Sequence, residues 1–240
     1  MASGTEDNRA LARGELVRWT VVRWLFELLY NNRTLYWLAS TIPFAGQWRV
    51  WQRLALERVV GSETLEVGCG IGTLLADTLE RGYHARAVDR STQMVAATRR
   101  ELRRRGLRVA PETVQQASVQ ALPFTDASFD TVISTFPTDY ITDPATLAEI
   151  ARVLRPGGRL VIVLGASLLP ARFALRPLVA LQRLVYGRTA SGQATARCAS
   201  GVSGALAERL REVGLAPRTE CVSGPCWVAY LVMAEKARRA

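Results

Sequence analysis

The run Leu65-Glu66-Val67-Gly68-Cys69-Gly70-Ile71-Gly72 passes from an apolar stretch into three alternating glycines, with an acid two residues before the first of them. Glycines let the backbone approach a ligand closely, and a helix beginning just after them offers unpaired N–H groups, so such a turn can cradle a nucleotide. The G-x-G-x-G spacing alone does not separate a dinucleotide site, normally G-x-G-x-x-G around a pyrophosphate, from one for another adenosine ligand. Two acids narrow the choice. Asp89, in Val88-Asp89-Arg90-Ser91, can accept both hydroxyls of a ribose. Glu66 beneath the turn suits a ligand carrying ammonium or sulfonium charge and would repel a pyrophosphate.

These residues work together only if the turn and Asp89 lie at the same edge of one sheet. From Glu63 onward, strand and helix signals alternate, which predicts a parallel sheet built from βαβ crossovers. Strands are expected at Thr64–Val67, His84–Val88, Thr113–Gln116, Phe129–Ser134, Arg159–Leu164 and Cys226–Ala234. Helices are expected at Thr73–Arg81, Thr92–Arg105, Pro144–Val153 with Asp143 as cap, and Ala205–Val213 stopped at Gly214. Ahead of them, Leu16–Tyr30 reads as a helix apolar over most of its circumference, too short and charged to span a bilayer. Gly46–Val60 reads as a second helix, carrying Trp48 and Trp51 and ending at Gly61. The expected organisation is an N-terminal helical arm over residues 1–60 and a ligand-binding α/β domain over 61–240.

In order and spacing, several motifs resemble those of the class I S-adenosylmethionine (SAM)-dependent methyltransferases, in their ubiquinone/menaquinone-type branch. They are Leu65 to Gly72; Asp89-Arg90-Ser91-Thr92-Gln93-Met94; Ala121-Leu122-Pro123-Phe124 followed by Ser128-Phe129-Asp130-Thr131-Val132-Ile133; and Leu147 to Gly158, reading LAEIARVLRPGG. The resemblance covers roughly residues 60 to 165 and implies a doubly wound, mostly parallel seven-stranded Rossmann-like sheet. It implies that Glu66 and the backbone of Gly68, Cys69, Gly70 and Gly72 hold the methionine part of SAM, leaving S-adenosylhomocysteine as product. Asp89 would hold the ribose, Met94 and Arg90 would flank the adenine, and Ser134 would complete the cofactor site. Relatives usually read G-D-A-E-A-L-P-F where this chain has Ala117-Ser118-Val119-Gln120 before its Ala121-Leu122-Pro123-Phe124. The adenine amino contact would then fall to Ser118, which carries no charge, or to the Val119 backbone.

Methyl transfer is an in-line displacement that needs alignment and exclusion of water more than a base. Candidates belong in the loop after the fourth strand, Ser134 to Tyr140, where Asp139 could take a proton and Tyr140 could hydrogen-bond or stack. The alternative is that Asp139 caps a turn and Tyr140 packs. This loop lacks the N/D-P-P-Y/F motif of enzymes that methylate amino groups of nucleic acids, so a nucleic-acid substrate is not expected. His84, the single histidine, falls at the strand end away from the turn, and Cys69 reads as a packing residue.

The acceptor is expected to be a small apolar or amphiphilic molecule, such as a quinone precursor, a lipid or an aromatic natural product. Its pocket would be covered by the arm and by Ala166–Arg188, both apolar with arginines attached. A non-catalytic SAM-binding module on the same fold is the other function class, and a nicotinamide-dependent dehydrogenase is a weaker third.

The composition agrees with a folded enzyme. With 240 residues, 49% of them hydrophobic and 22% charged, the chain is neither disordered nor repetitive and can bury a full core. There are 31 basic against 21 acidic residues, a net charge of +10, and Lys236 is the only lysine. The arginine skew runs evenly along the chain and reads as compositional, although such a surface attracts anionic headgroups. Peripheral contact with an anionic membrane is therefore an expectation, centred on Arg99, Arg100, Arg103, Arg104, Arg105 and Arg108 unless these simply cap a helix. Four cysteines without a C-x-x-C pair predict no metal site. The absence of a signal-like N-terminus leads to the expectation of a cytoplasmic, thiol-reducing compartment.

Overall fold

The computed structural model describes residues 46–169 and 204–238. Seven strands form one sheet: β1 (Glu63–Val67), β2 (His84–Asp89), β3 (Val114–Gln116), β4 (Phe129–Thr135), β5 (Leu154–Leu168), β6 (Leu215–Gly224) and β7 (Trp227–Lys236), in the order β3-β2-β1-β4-β5-β7-β6. Strands β1 to β5 pair parallel, and β7 lies antiparallel between β5 and β6. The order reverses between β1 and β4, which opens a crevice at their C-terminal ends, the usual ligand position in such sheets.

Helices cover both faces, and the period of two along each strand decides which residues meet them. Leu65, Val67, Val132, Leu160 and Ile162 pack with Leu147 and Ile150 of α4 (Pro144–Val153) and with Leu206 and Leu210 of α5 (Gly204–Glu212). On the other face, Ala85 and Ala87 meet Leu75 of α2 (Thr73–Glu80) and Val95 and Leu102 of α3 (Thr92–Arg104). Beside them, Ile133, Val161 and Val163 meet Trp51 of α1 (Trp48–Arg53). Asp143 caps α4, its Oδ1 accepting the Ala145 N–H at 2.9 Å. Lys236 Nζ donates to the carbonyls of Ala151 and Leu154 at 2.6 and 2.8 Å, a cation at the helix end where the dipole favours it.

Two expectations change and a third gains its range. The helix expected over Gly46–Val60 stops at Arg53, with a 3₁₀ turn at Leu56–Arg58. The Thr131 hydroxyl bonds both the N–H and the carbonyl of Val60, at 2.9 and 2.7 Å, drawing that segment out toward β1. The seventh strand implied by the resemblance, given no range in the sequence, is β6; as the edge strand it tolerates the missing N–H of Pro217. β5 also runs past the expected Leu164, so that Gly165–Leu168 pair with Trp227–Tyr230 of β7 and Ala166 begins no covering segment.

The predicted helix at 16–30 and residues 170–188 lie outside the described residues. Cys69 and Cys226 are free thiols. Cys221 is disulfide-bonded, which the expectation of a thiol-reducing compartment did not include. Among the described residues, no helix is long and apolar enough to cross a membrane.

Part of the arginine run turns inward. Arg99 donates to the Val114 carbonyl at 2.8 Å, and Arg104 and Arg105 both bind Glu101, whose carboxyl is held at about 2, chiefly by Arg104. Arg105 also reaches Asp77 of α2 at 2.6 Å, and Arg49 and Arg53 of α1 meet the same carboxylate. Burial alone would raise the Asp77 carboxyl, but three guanidiniums hold it below the ordinary carboxylate range. One buried acid thus ties α1, α2 and α3 together.

Asp77→Asn is expected to cost about 2–4 kcal/mol of unfolding free energy at neutral pH, because it leaves Arg105 buried beside a neutral group. A carboxyl held low in the folded state gives its full stabilisation above the unfolded value, near about pH 4, and loses it as pH falls further. Urea titrations between about pH 4 and pH 2 should therefore show a steeper stability loss in wild type than in the variant. Equal slopes would contradict this role for Asp77.

Candidate functional site

The glycine turn leaves β1 with φ of +73° at Gly68, +55° at Gly70 and +76° at Gly72, a region that side chains with a Cβ rarely enter. Its path is fixed from β2 and α3. The Gly68 and Cys69 N–H groups both point at the Val88 carbonyl, at 2.9 and 3.3 Å. Asp89 Oδ2 accepts the Gly70 N–H at 3.0 Å, and its Oδ1 accepts the Ser91 N–H at 2.9 Å. The Thr98 hydroxyl donates to the Gly70 carbonyl at 2.8 Å, and a Cβ on Gly72 would lie 2.5 Å from Thr98 Cγ2.

Glu66 and Asp89 share the sheet face that carries α2 and α3, as alternation from Leu65 and Val88 requires. Glu66 is 4% exposed and takes a hydrogen bond from the Leu75 N–H in the first turn of α2, while its Oε2 has no partner among the described residues. Burial, reinforced by the Asp89 charge, pushes the Glu66 carboxyl well above its ordinary value. Burial also raises Asp89, opposed by the Ser91 and Gly70 N–H groups and by Arg90. Two carboxylates close together in low dielectric repel each other, and a cation between them would relieve both. Cys69 is buried with its Sγ 3.5 Å from Thr98 Oγ1 and its thiol pushed up by burial, so its side chain packs and only its backbone belongs to the turn.

The other expected cofactor residues divide. The Ala117 N–H donates to the Asp89 carbonyl at 3.1 Å, which brings the 117–119 segment beside Asp89. Ser118 is exposed, but its hydroxyl is engaged with Gln120 Oε1, and the Val119 side chain lies in the core. Arg90 is exposed whereas Met94 is 2% exposed, so the expected adenine-flanking pair is one surface side chain and one buried in the first turn of α3. Thr98 was missed by the sequence reading. Its position four residues after Met94, on the buried stripe of α3, was the available signal.

At the end of β4, Ser134 is fully buried, and its Oγ lies 2.8 Å from the Tyr140 hydroxyl, which also reaches the Val67 carbonyl at 3.3 Å. Asp139 is exposed, and among the described residues its carboxylate bonds none of these groups; only its carbonyl is used, by Thr142. It opens the 3₁₀ turn Asp139–Thr142 with Thr138 in the cap position, so its side chain caps nothing there and lies exposed. His84 pairs with Glu63 at the opposite edge, Nδ1 to Oε1 2.8 Å.

Phe136 also escaped the sequence reading. It sits at φ +49°, a strained conformation for an aromatic residue. Its ring stacks on Trp48 with centroids 4.0 Å apart. Gln52 beside Trp51 bridges Thr135 of β4 and Thr73 at the start of α2, at 3.2 and 3.3 Å. An aromatic wall carried by α1 thus adjoins the end of β4.

Residues 65–162 match the family of methyltransferase domains. Demethylmenaquinone methyltransferase of Beutenbergia cavernae is 36% identical over 132 residues, covering 53% of this chain and 52% of that protein. The enzyme of the same name from Clavibacter sepedonicus is 36% identical over 118 residues, covering 48% and 46%. The chain thus spans about half the length of these curated relatives. Among solved structures, geranyl diphosphate methyltransferase in complex with GPP and sinefungin superposes with a TM-score of 0.56 at 17% identity, covering 81% of each chain. A sarcosine dimethylglycine methyltransferase structure from Galdieria sulphuraria gives 0.54 at 16%, covering 82% of this chain and 88% of that one. At such identities the structural likeness speaks for the fold alone. Over residues 65–162 the sequence is similar to methyltransferase domains.

Proposed function

We propose that the protein binds SAM across the crevice between β1 and β4 and transfers its methyl group to a small apolar or amphiphilic acceptor, a quinone precursor, lipid or aromatic natural product. One observation carries the donor half of this reading: Glu66, buried under the glycine turn with one carboxylate oxygen unpartnered among the described residues. A buried carboxylate oxygen without a hydrogen bond is costly, and an ammonium or sulfonium brought into the turn would offset that cost.

The residues present fit the whole donor. The turn is held open by glycines and faces the first turn of α2, and the Asp89 oxygens keep further acceptor capacity for ribose hydroxyls. The backbone at 117–119 lies close enough to Asp89 to border the adenine. When bound, SAM supplies an electrophilic methyl on a sulfonium. The chain's task is then to orient that carbon and exclude water, which asks for no general base and agrees with the outward position of Asp139.

The acceptor half is supported by the half-buried Trp48–Phe136 stack at the end of β4, backed from the core by Trp51 and Trp227. Such a surface suits an aromatic or isoprenoid-bearing molecule better than a sugar or nucleic acid. The demethylmenaquinone methyltransferases that the chain resembles point the same way.

Incubation with methyl-labelled SAM and a panel of naphthoquinols, lipids and aromatic natural products should move label into one acceptor class; binding without transfer to any would leave only a SAM-binding module. Asp89→Ala should weaken S-adenosylhomocysteine binding by about 1.5–3 kcal/mol, roughly 10- to 150-fold, with the fold checked by circular dichroism. An unchanged Kd on folded material would remove Asp89 from the site. Because burial raises the Glu66 carboxyl, the ligand-free site favours its protonated form more than an exposed glutamate would, and a cationic ligand would draw that proton off. Affinity should then rise as pH is raised through the Glu66 titration, which burial places above the ordinary carboxylate range. Calorimetry in two buffers of different ionisation heat should show proton release that Glu66→Gln abolishes.

A further inference from the structure

The parallel ladder between β1 and β4 ends at Glu66 and Ile133, one residue before the end of β1 and two before the end of β4. Beyond it, Val67 and Ser134 are joined by a side chain instead. The Tyr140 hydroxyl donates to the Val67 carbonyl at 3.3 Å, so the Ser134 hydroxyl, 2.8 Å away, must donate to Tyr140. The chain of bonds therefore runs from Ser134 through Tyr140 to the carbonyl that immediately precedes Gly68. Tyr140 belongs to the 3₁₀ turn Asp139–Thr142, which follows β4 on the acceptor side. A Cβ placed on Gly68 would lie 2.8 Å from the Tyr140 hydroxyl oxygen and 3.6 Å from the next ring atom, Cζ. Gly68 is thus constrained twice, by a φ of +73° and by the hydroxyl lodged against it.

We propose that Tyr140 is a positioning residue that fastens the donor-binding turn to the acceptor-side loop 136–143, so that filling the first orders the second. The claim rests on the reading of the glycine turn as the SAM site. Because the hydroxyl touches the root of the turn, any ligand that stiffens Gly68–Gly72 restricts Tyr140, and Tyr140 carries the loop with it. A donor bound first would then shape the wall that the acceptor meets.

The test combines a ligand-free measurement with a ligand-dependent one, on the full chain and its Tyr140→Phe, Gly68→Ala and doubly substituted variants. Phenylalanine keeps the ring and removes the hydroxyl. In thermal unfolding without ligand, Gly68→Ala should lower Tm less when residue 140 is phenylalanine, since the 2.8 Å contact is then gone and only the backbone strain remains. Equal losses in both backgrounds would overturn the link itself.

With S-adenosylhomocysteine, hydrogen exchange in a wild-type peptide covering 137–143 should slow along with that of the turn. In Tyr140→Phe, binding should persist with affinity reduced about three- to tenfold, as for loss of one hydrogen bond. The turn should still be protected and the 137–143 peptide should not. Protection of that peptide in Tyr140→Phe equal to wild type would overturn the coupling. Failure of wild type to bind the ligand at all would overturn the donor-site reading and the coupling with it, while the unfolding data would still decide the Tyr140 contact.

Discussion

The carboxylate of Asp89 is the constraint on which the site depends. It holds the Gly70 N–H with one oxygen and the Ser91 N–H with the other, so a single side chain sets both the bend after β1 and the entry to α3. Remove it and two backbone donors lose their acceptor while three alternating left-handed glycines lose their guide. That carboxylate also stands on the same sheet face as Glu66, whose burial leaves an oxygen unmatched among the described residues. The turn therefore combines a rigid backbone with two acids whose charged forms burial disfavours, and a cationic adenosine ligand answers both.

Much of what makes the sequence recognisable serves the fold and not the chemistry. Arg152 of α4 donates to the carbonyls of Leu122 and Phe124, and Glu149 accepts the Leu122 N–H at 2.7 Å, so the helix holds the Ala121–Phe124 segment in place. Asp130 accepts the N–H groups of Ser62 and Glu63 and pairs with Arg155, joining the start of β1 to the start of β5. Gly158 has no room for a side chain, since a Cβ would meet the Arg155 and Asp130 carbonyl oxygens at 2.9 Å. These contacts carry the register of β1, β4 and β5, and that register places Val67 opposite Ser134 at the crevice.

The charge excess has a double use. Arg49, Arg53, Arg99, Arg104, Arg105, Arg152, Arg155 and Arg159 all bond acids or carbonyls within the chain. Arg100, Arg103 and Arg108 are exposed and add to the positive field. A composition that reads as a uniformly basic surface is, at these positions, partly internal mortar between helices.

The sequence by itself determined the alternation of strands and helices, the start of α4 at Pro144 behind Asp143, the glycine turn, and Asp89 at the tip of β2. Each is written locally: period two or 3.6, a proline after a capping acid, glycines where φ must be positive. Tertiary structure alone decided that Asp139 faces water while Tyr140 reaches under Gly68, that Thr98 steadies the turn, that Phe136 is held in a strained conformation against Trp48, and that the seventh strand falls at β6, across Pro217. These depend on contacts between residues tens of positions apart, made when helices cover a sheet, and no local pattern encodes which neighbour a side chain will find. Where backbone geometry limits the choice of residue, the sequence showed it; where packing chose among side chains equally suited to a loop, only the folded chain did.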